Sequence, residues 1–323
     1  MRLNEILYGL RLFWKWWTWF WFRPVSARGI GIMRISMGLM LAMTTIDVWP
    51  DMELFVGPNG IWSESAANRG FRMSRWTYFD QIDTMEGMYI AQGAALVLNV
   101  LFMVGFKSRT MGFLSVLAHV AIYQRNSWFM NGGDRLIREC AFYLCLVPCG
   151  AAYSVDAWLR DRKLLRTGQK VIKDYMVPII GNRLIQIQLI AMYFLSGIEK
   201  WDSSSWQKGS ALYYSLSTSN YARSDVMLAP LLDGRLGYEF LKIGTWVTLY
   251  WEIYFGLLVL WRPTRYLALA VGVVMHLGIH VTLIVAFFSA ISVWCYLTFL
   301  PQDWVERTIV LWKSWKERRQ AKG

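Results

Sequence analysis

The chain has 323 residues, of which 55% are hydrophobic and only 17% are charged, and its mean hydropathy is +0.30. A soluble domain of this size carries more charge, and the sequence repeats apolar stretches of about 20 residues, which is long enough to cross a bilayer. We therefore predict an all-α polytopic membrane protein, and we assign the net charge of +12 to basic loops beside the membrane, not to nucleic-acid binding.

Residues 1–29 open the chain with an aromatic and basic segment. Arg11 and Lys15 are four residues apart, tryptophans and phenylalanines surround them, and Arg23 followed by Pro24 closes the segment. This pattern is typical of an amphipathic helix that lies in the membrane interface. A signal peptide is the alternative, but its apolar core would be short and nearly all aromatic.

Eight apolar stretches follow, and together they predict a membrane domain over residues 30–301. They lie at about 30–50, 88–106, 109–124, 136–153, 181–199, 239–261, 264–284 and 286–301. The segments on the side of the two termini hold 21 Lys and Arg, whereas the alternate loops hold 10. Positive loops stay in the cytoplasm, so both termini are predicted to be cytoplasmic and the loops 51–87 and 200–238 external.

The last segment, 302–323, is predicted to be a basic cytoplasmic tail that contains a second interfacial helix. With these flanking helices the chain is predicted to be a multi-pass protein of about eight transmembrane helices, placed in a bacterial inner membrane.

Ionisable side chains inside apolar spans are costly, so each is a candidate functional residue. With the predicted orientation, most of them fall in the outer half of the membrane; Arg34 is the exception, and its long side chain can reach the inner interface. Glu252 is predicted near the middle of its span, where it requires either a proton or a cationic partner. The candidates to line a site are Asp134, Arg138, Glu199, Lys200, Glu252, His276 and His280.

Several of these residues have plain structural explanations. Asp134 and Arg138 are four residues apart and suit a helical ion pair. His276 and His280 have the same spacing, which can ligate a metal, but no third ligand stands at a fixed distance in sequence, so no metal is predicted. Lys200 ends an apolar stretch, where a lysine either extends its ammonium to the interface or turns into a cavity as a base.

Three motifs carry a resemblance to a known family. They are YFLSGIEKWDSSSW (193–206), RNSWFMNGGDRLIRECAFYLCLVPCGAAYSVD (125–156) and WEIYFGLLVLWRPTRYLALAVGVVMHLGIHVTL (251–283). The chain resembles the bacterial horizontally transferred transmembrane (HTTM) domain proteins of the vitamin K-dependent γ-carboxylase superfamily. The likeness covers most of residues 25–305.

The resemblance implies an enzyme that uses a reduced naphthoquinone, O2 and CO2. It implies that Lys200 is the general base that deprotonates the quinol, and that Trp206 belongs to the same signature. Membrane lipids and quinone are the implied partners, with an unknown external substrate, for which protein or peptide glutamate is the model. Two other functions stay open: a quinone oxidoreductase resembling the DoxX group, and a non-catalytic protein that binds lipid or a partner.

Overall fold

A computed structural model describes residues 3–61, 75–126, 131–172, 174–218, 222–223 and 225–320. These residues are mostly helical, as the sequence predicts. The chain divides into two compact units. The first contains Met1–Met130, Asp134–Leu184 and Leu300–Gly323, and the second contains Asn131–Gly133 and Ile185–Phe299.

Helices dominate the described part of the chain, with two short strands between them. In chain order the elements are α1 (Leu3–Phe22), β1 (Pro24–Ser26), α2 (Ala27–Asp47), α3 (Met52–Phe55), α4 (Met85–Val104), α5 (Ser108–Arg125), α6 (Gly132–Cys145), α7 (Val155–Arg166), β2 (Met176–Pro178), α8 (Ile180–Trp201), α9 (Ser204–Gln207), α10 (Ala211–Ser217), α11 (Asp225–Leu232), α12 (Arg235–Leu260), α13 (Arg262–Thr282), α14 (Phe288–Tyr296) and α15 (Trp304–Gln320). Short 3₁₀ turns lie at Trp49–Asp51, Phe79–Gln81 and Leu297–Phe299.

Among the described residues, four segments are long and apolar enough to cross a membrane. They are Ala27–Phe55, Met85–Val104, Arg235–Leu260 and Arg262–Thr282, and each matches one of the eight predicted spans. The other four predicted spans are also helical, as α5, α6, α8 and α14. They are shorter or richer in polar residues, for example 14 residues in α6 and 9 in α14. The count of eight spans is therefore not confirmed.

Both predicted interfacial segments are helices, α1 and α15. Large aromatic side chains on both are exposed, among them Trp14, Trp16 and Trp312. Between α1 and α2, β1 pairs antiparallel with β2, with Val25 opposite Val177. That these helices lie in a membrane interface stays a prediction.

In the first unit, Arg34 is completely buried instead of reaching an interface. Its guanidinium donates to the carbonyls of Cys149, at 3.0 Å, and of Ala152 and Tyr153. These carbonyls lie between α6 and α7, where no helical N–H is available to donate to them. The expectation that the Arg34 side chain could reach the inner interface is wrong, because its two terminal guanidinium nitrogens bond backbone acceptors inside the protein.

Asp156, at the start of α7, holds the turn between α4 and α5 in the same unit. Its carboxylate accepts from the backbone N–H groups of Lys107 at 2.7 Å and Ser108 at 2.8 Å, and from the Ser108 hydroxyl at 2.6 Å. Lys107 has a positive φ of 43°, a strained conformation that this carboxylate stabilises. Arg34, Ser108 and Asp156 are called the backbone-binding cluster below.

Arg125 and Asn126 connect the end of α5 to the loop that begins after α3. Arg125 donates to the carbonyls of Val56 and Gly57, and it bonds Asp80 at 3.1 Å. Asn126 donates to the Phe55 carbonyl at 3.0 Å. The Arg-Asn pair of the 125–156 motif thus fixes a loop; residues 62–74 of the predicted loop 51–87 lie outside the described residues.

In the second unit, α8 and α12 approach each other closely at glycines. A Cβ built on Gly197 would lie 2.7 Å from the Cγ1 atom and 2.9 Å from the backbone nitrogen of Ile253. A Cβ on Gly256 would lie 2.8 Å from Ile190. Since no side chain fits between the helices at these points, residues one turn away are brought within reach of each other.

The predicted loop 200–238 is largely folded, as α9, α10 and α11. Leu216, Ala222 and Leu228 pack against Leu241 of α12 in one apolar cluster. The segment therefore covers part of α12 within the second unit.

Candidate functional site

Lys200 lies in the last turn of α8, and its ammonium points into the second unit. Nζ donates to Oε2 of Glu252 at 2.6 Å and to the Ser196 hydroxyl at 2.5 Å. The two charged side chains keep 22% and 10% of their surface exposed. A lysine that only anchors a helix in the interface would extend its ammonium into water, so the anchoring explanation does not describe this side chain.

The positions of these groups follow from helical spacing. Ser196 and Lys200 are four residues apart on α8 and share one face, which Gly197 also borders. Glu252 of α12 is the residue before Ile253, against which Gly197 packs. The close approach of the two backbones thus brings the lysine and the carboxylate together.

Trp206, on α9, completes the surroundings of Lys200. The Lys200 nitrogen lies 5.2 Å from the centre of the Trp206 ring, within the range of a cation–π interaction. Ser203 Oγ and Ser205 Oγ are hydrogen-bonded at 3.0 Å in the turn that carries this tryptophan. Lys200, Ser196, Trp206 and Glu252 are called the lysine site below.

A second polar group of the same unit is a hydrogen-bonded chain of three buried side chains. The Tyr193 hydroxyl lies 2.7 Å from Nε2 of His276 and 2.9 Å from the Tyr296 hydroxyl. Tyr193 is on α8, on the face of Lys200 but seven residues before it, which is about 10 Å along the helix. His276 is 1% exposed, whereas His280, one turn later on α13, is exposed.

The remaining candidates are not part of the lysine site. Glu199 is exposed. Asp134 is buried and Arg138 half-buried in the first unit. On their helix, α6, an ion pair joins Arg135 to Glu139 at 2.9 Å.

The two histidines therefore differ in their surroundings. His276 is bound to a tyrosine hydroxyl, and His280 is exposed. Among the described residues, no group of three His, Cys, Asp or Glu side chains is placed to hold a metal ion.

Sequence reasoning identified Lys200, Glu252, Trp206 and His276 but missed Ser196, Tyr193 and Tyr296. Ser196 and Tyr193 stand four and seven residues before Lys200, a helical spacing that would have placed them on its face. Nothing in the sequence marks Tyr296, because it comes from α14 and meets Tyr193 only through tertiary packing.

A comparison with protein families agrees with the motifs that supply Lys200, Trp206 and Glu252. The HTTM domain family matches residues 22–304, most of the chain. The chain belongs to the HTTM domain family. The HTTM domain is associated with the vitamin K-dependent carboxylase family. No solved structure matches the chain.

Within this HTTM domain the lysine site lies in the 193–206 and 251–283 motifs, whereas only Asp156 of the backbone-binding cluster lies in a motif, 125–156, and the contacts of the two groups differ. The Asp156 carboxylate bonds backbone amides and one hydroxyl, whereas the Lys200 ammonium bonds only side chains. The lysine site is therefore a charged group held by side chains of two helices, α8 and α12.

Proposed function

We propose that this HTTM protein is a vitamin K-dependent γ-carboxylase-like membrane enzyme in which Lys200 is the general base. The observation that carries the proposal is the ion pair of Lys200 with Glu252, held inside the second unit and bordered by Ser196 and Trp206. Catalytic bases are found where partly buried ionisable groups are coupled to one another.

The carboxylate gives the lysine a route to its basic form. In a desolvated pair, moving the shared proton from the ammonium to Glu252 yields an uncharged amine and an uncharged acid, which removes the desolvation penalty of two charges. Across 2.6 Å this transfer needs no movement of either side chain. The amine then accepts a proton from a substrate hydroxyl, and the Ser196 hydroxyl accepts a hydrogen bond from the ammonium so formed.

The residues present suit a reduced naphthoquinone. Trp206 offers an aromatic face beside the amine, and Tyr193, Trp251 and Phe255 form a buried aromatic group on the same helices. A bound quinol would react with O2, and the energy of that reaction would drive removal of a proton from the substrate before CO2 adds. This chain's own part is to orient the quinol hydroxyl at Lys200 and to take its proton.

The same proposal includes the placement of the protein in the membrane and its partners. The four polar helices complete eight spans, both termini face the cytoplasm of a bacterial inner membrane, and the lysine site opens outward. Membrane lipids and quinone are the partners within the bilayer, and a protein or peptide glutamate is the external substrate.

The test uses the full chain in lipid nanodiscs with reduced naphthoquinone, O2 and bicarbonate, and mass spectrometry detects quinone epoxide. We expect epoxide from the wild type and a loss of at least about 100-fold in Lys200→Ala, as for removal of a general base. Lys208→Ala is the matched control, since Lys208 is an exposed lysine eight residues away.

Equal epoxide from wild type and Lys200→Ala would contradict the role of Lys200. No epoxide from any variant would favour quinone oxidoreduction or a non-catalytic binding role instead.

A further inference from the structure

The buried chain Tyr296–Tyr193–His276 ends at a nitrogen that has no partner. Nδ1 of His276 is buried and makes no hydrogen bond within the described part of the chain, although Nε2 of the same ring is bound to Tyr193. An unpaired buried polar atom is unfavourable, and most such atoms in folded proteins are paired. The free nitrogen therefore indicates a ligand position.

A second buried polar atom without a hydrogen-bond partner among the described residues lies on the next helix, α14. The Ser289 hydroxyl, on α14, belongs to a residue that is 4% exposed and has no partner among the described residues. Ser289 directly follows Phe288, whose ring lies 5.5 Å from the His276 ring in an edge arrangement. His276 of α13 and Ser289 of α14 thus each carry an unpaired polar atom among the described residues, and Phe288, the residue before Ser289, contacts the His276 ring.

Several aromatic rings pack around these three side chains. The rings of Trp251 and Phe255 each lie 4.8 Å from the Tyr193 ring, and the Tyr296 ring lies 6.1 Å from His276. Walls of this kind favour a flat, uncharged aromatic ligand through edge-to-face and offset contacts. A few polar groups in such walls then orient the ligand.

The hydrogen-bonded chain can present Nδ1 in two states. When Tyr193 donates to Nε2, the neutral ring carries its proton on Nδ1 and offers a donor; when Nε2 donates to Tyr193, Nδ1 offers a lone pair. Tyrosine hydroxyl hydrogens rotate, so both arrangements keep the 2.7 Å and 2.9 Å contacts. The same atom therefore suits an oxygen that is a carbonyl in one redox state and a hydroxyl in the other.

We propose that His276 Nδ1 is the binding point for a ring oxygen of a quinone or quinol, oriented by the Tyr193–Tyr296 pair and walled by Phe288. The proposal rests on the proposed function, since it names the site of that reaction's quinol. It makes His276 a binding residue and Tyr193 a positioning residue that acts through His276.

The experiment measures binding without turnover. Purified full chain in nanodiscs is titrated with menadione (2-methyl-1,4-naphthoquinone), without O2 or bicarbonate, and tryptophan quenching and the thermal midpoint Tm are recorded. Empty nanodiscs correct for partition into lipid. The probe 2-methylnaphthalene has the same rings without oxygens and is the ligand control.

We expect menadione to bind the wild type and His280→Phe equally and to raise the Tm of both. His280 is exposed one turn from His276, so this variant is the matched control. His276→Phe is expected to weaken menadione binding at least about 10-fold. Its Tm without ligand is expected to stay close to that of the wild type, because the variant removes the unpaired Nδ1 as well as the bond to Tyr193, whose hydroxyl keeps its bond to Tyr296. Binding of 2-methylnaphthalene is expected to be the same in all variants.

The proposal is overturned if His276→Phe binds menadione as tightly as the wild type, or if 2-methylnaphthalene binds as tightly as menadione. Should His276→Phe not fold, Tyr193→Phe replaces it, and an affinity unchanged from the wild type then overturns the proposal. Menadione affinity that depends on His276, with no epoxide in the turnover assay, would reject the carboxylase-like function and keep this site. Epoxide formation together with menadione binding that does not depend on His276 would keep the carboxylase-like function and reject this site.

Discussion

The backbone-binding cluster and the lysine site place charged side chains in apolar helices for different ends. Arg34 and Asp156 bond mainly backbone carbonyls and amides that turns leave without partners. The Lys200 ammonium bonds Glu252 and a serine hydroxyl, with no backbone group to satisfy. The first arrangement holds turns in place, whereas the second joins two helices through side chains.

The same contrast separates two of the sequence motifs that resemble the family. The 125–156 motif supplies Arg125, Asn126 and Asp156, all of which hold loops or turns. The 193–206 motif supplies Ser196, Lys200 and Trp206, which meet around one ammonium. Mutation of the two groups should therefore separate stability from activity.

The largest effect is expected at the acidic partner of the lysine. Glu252→Gln keeps the shape of the side chain but removes the carboxylate that orients Lys200 and takes up its proton in the proposed reaction. We expect epoxide formation to fall by about 100-fold, within the range for loss of general base catalysis. Glu239→Gln, which changes an exposed acid on the same helix, is the control. Full activity in Glu252→Gln would show that the pair is only structural.

The backbone-binding cluster should show the opposite behaviour. Asp156→Asn turns an amide donor toward the N–H groups of Lys107 and Ser108, so we expect the free energy of unfolding to fall by about 2 kcal/mol. Thermal unfolding in nanodiscs measures this, and epoxide formed per folded molecule should not change. Asp161→Asn is the control, because Asp161 bonds its neighbour Arg160 and no turn amide. A loss of specific activity without loss of stability would reverse the assignment of the two clusters.

A smaller effect is expected where the helices that carry the lysine site touch. Gly197→Ala places a Cβ against the backbone of Ile253, which forces α8 and α12 apart and costs about 1–3 kcal/mol. The Lys200–Glu252 contact should lengthen and epoxide formation should fall by about 10-fold. Gly278→Ala has open space at its Cβ and serves as the control. Equal activity in the two variants would mean that the pair does not depend on this close approach.

The sequence predicted several of these features because each is local. Apolar length marks four helices that can cross a membrane, and the Lys200 and Asp156 motifs identify the family that the comparison confirms. The expectation that Glu252 has either a proton or a cationic partner is met by its ion pair with Lys200. The depth assigned to each residue was less useful, since it placed Lys200 and Glu252 at different levels although their side chains touch.

By itself, then, the sequence determined helical content, membrane character and the candidate base, because composition, apolar length and motifs are properties of neighbouring residues. Tertiary structure alone decided the partners. It turned Arg34 inward to backbone carbonyls, brought Glu252 to Lys200 through the Gly197 contact, and joined Tyr296 to Tyr193 and His276. These contacts join residues 52 to 119 positions apart, and only the packing of separate helices sets which side chains meet.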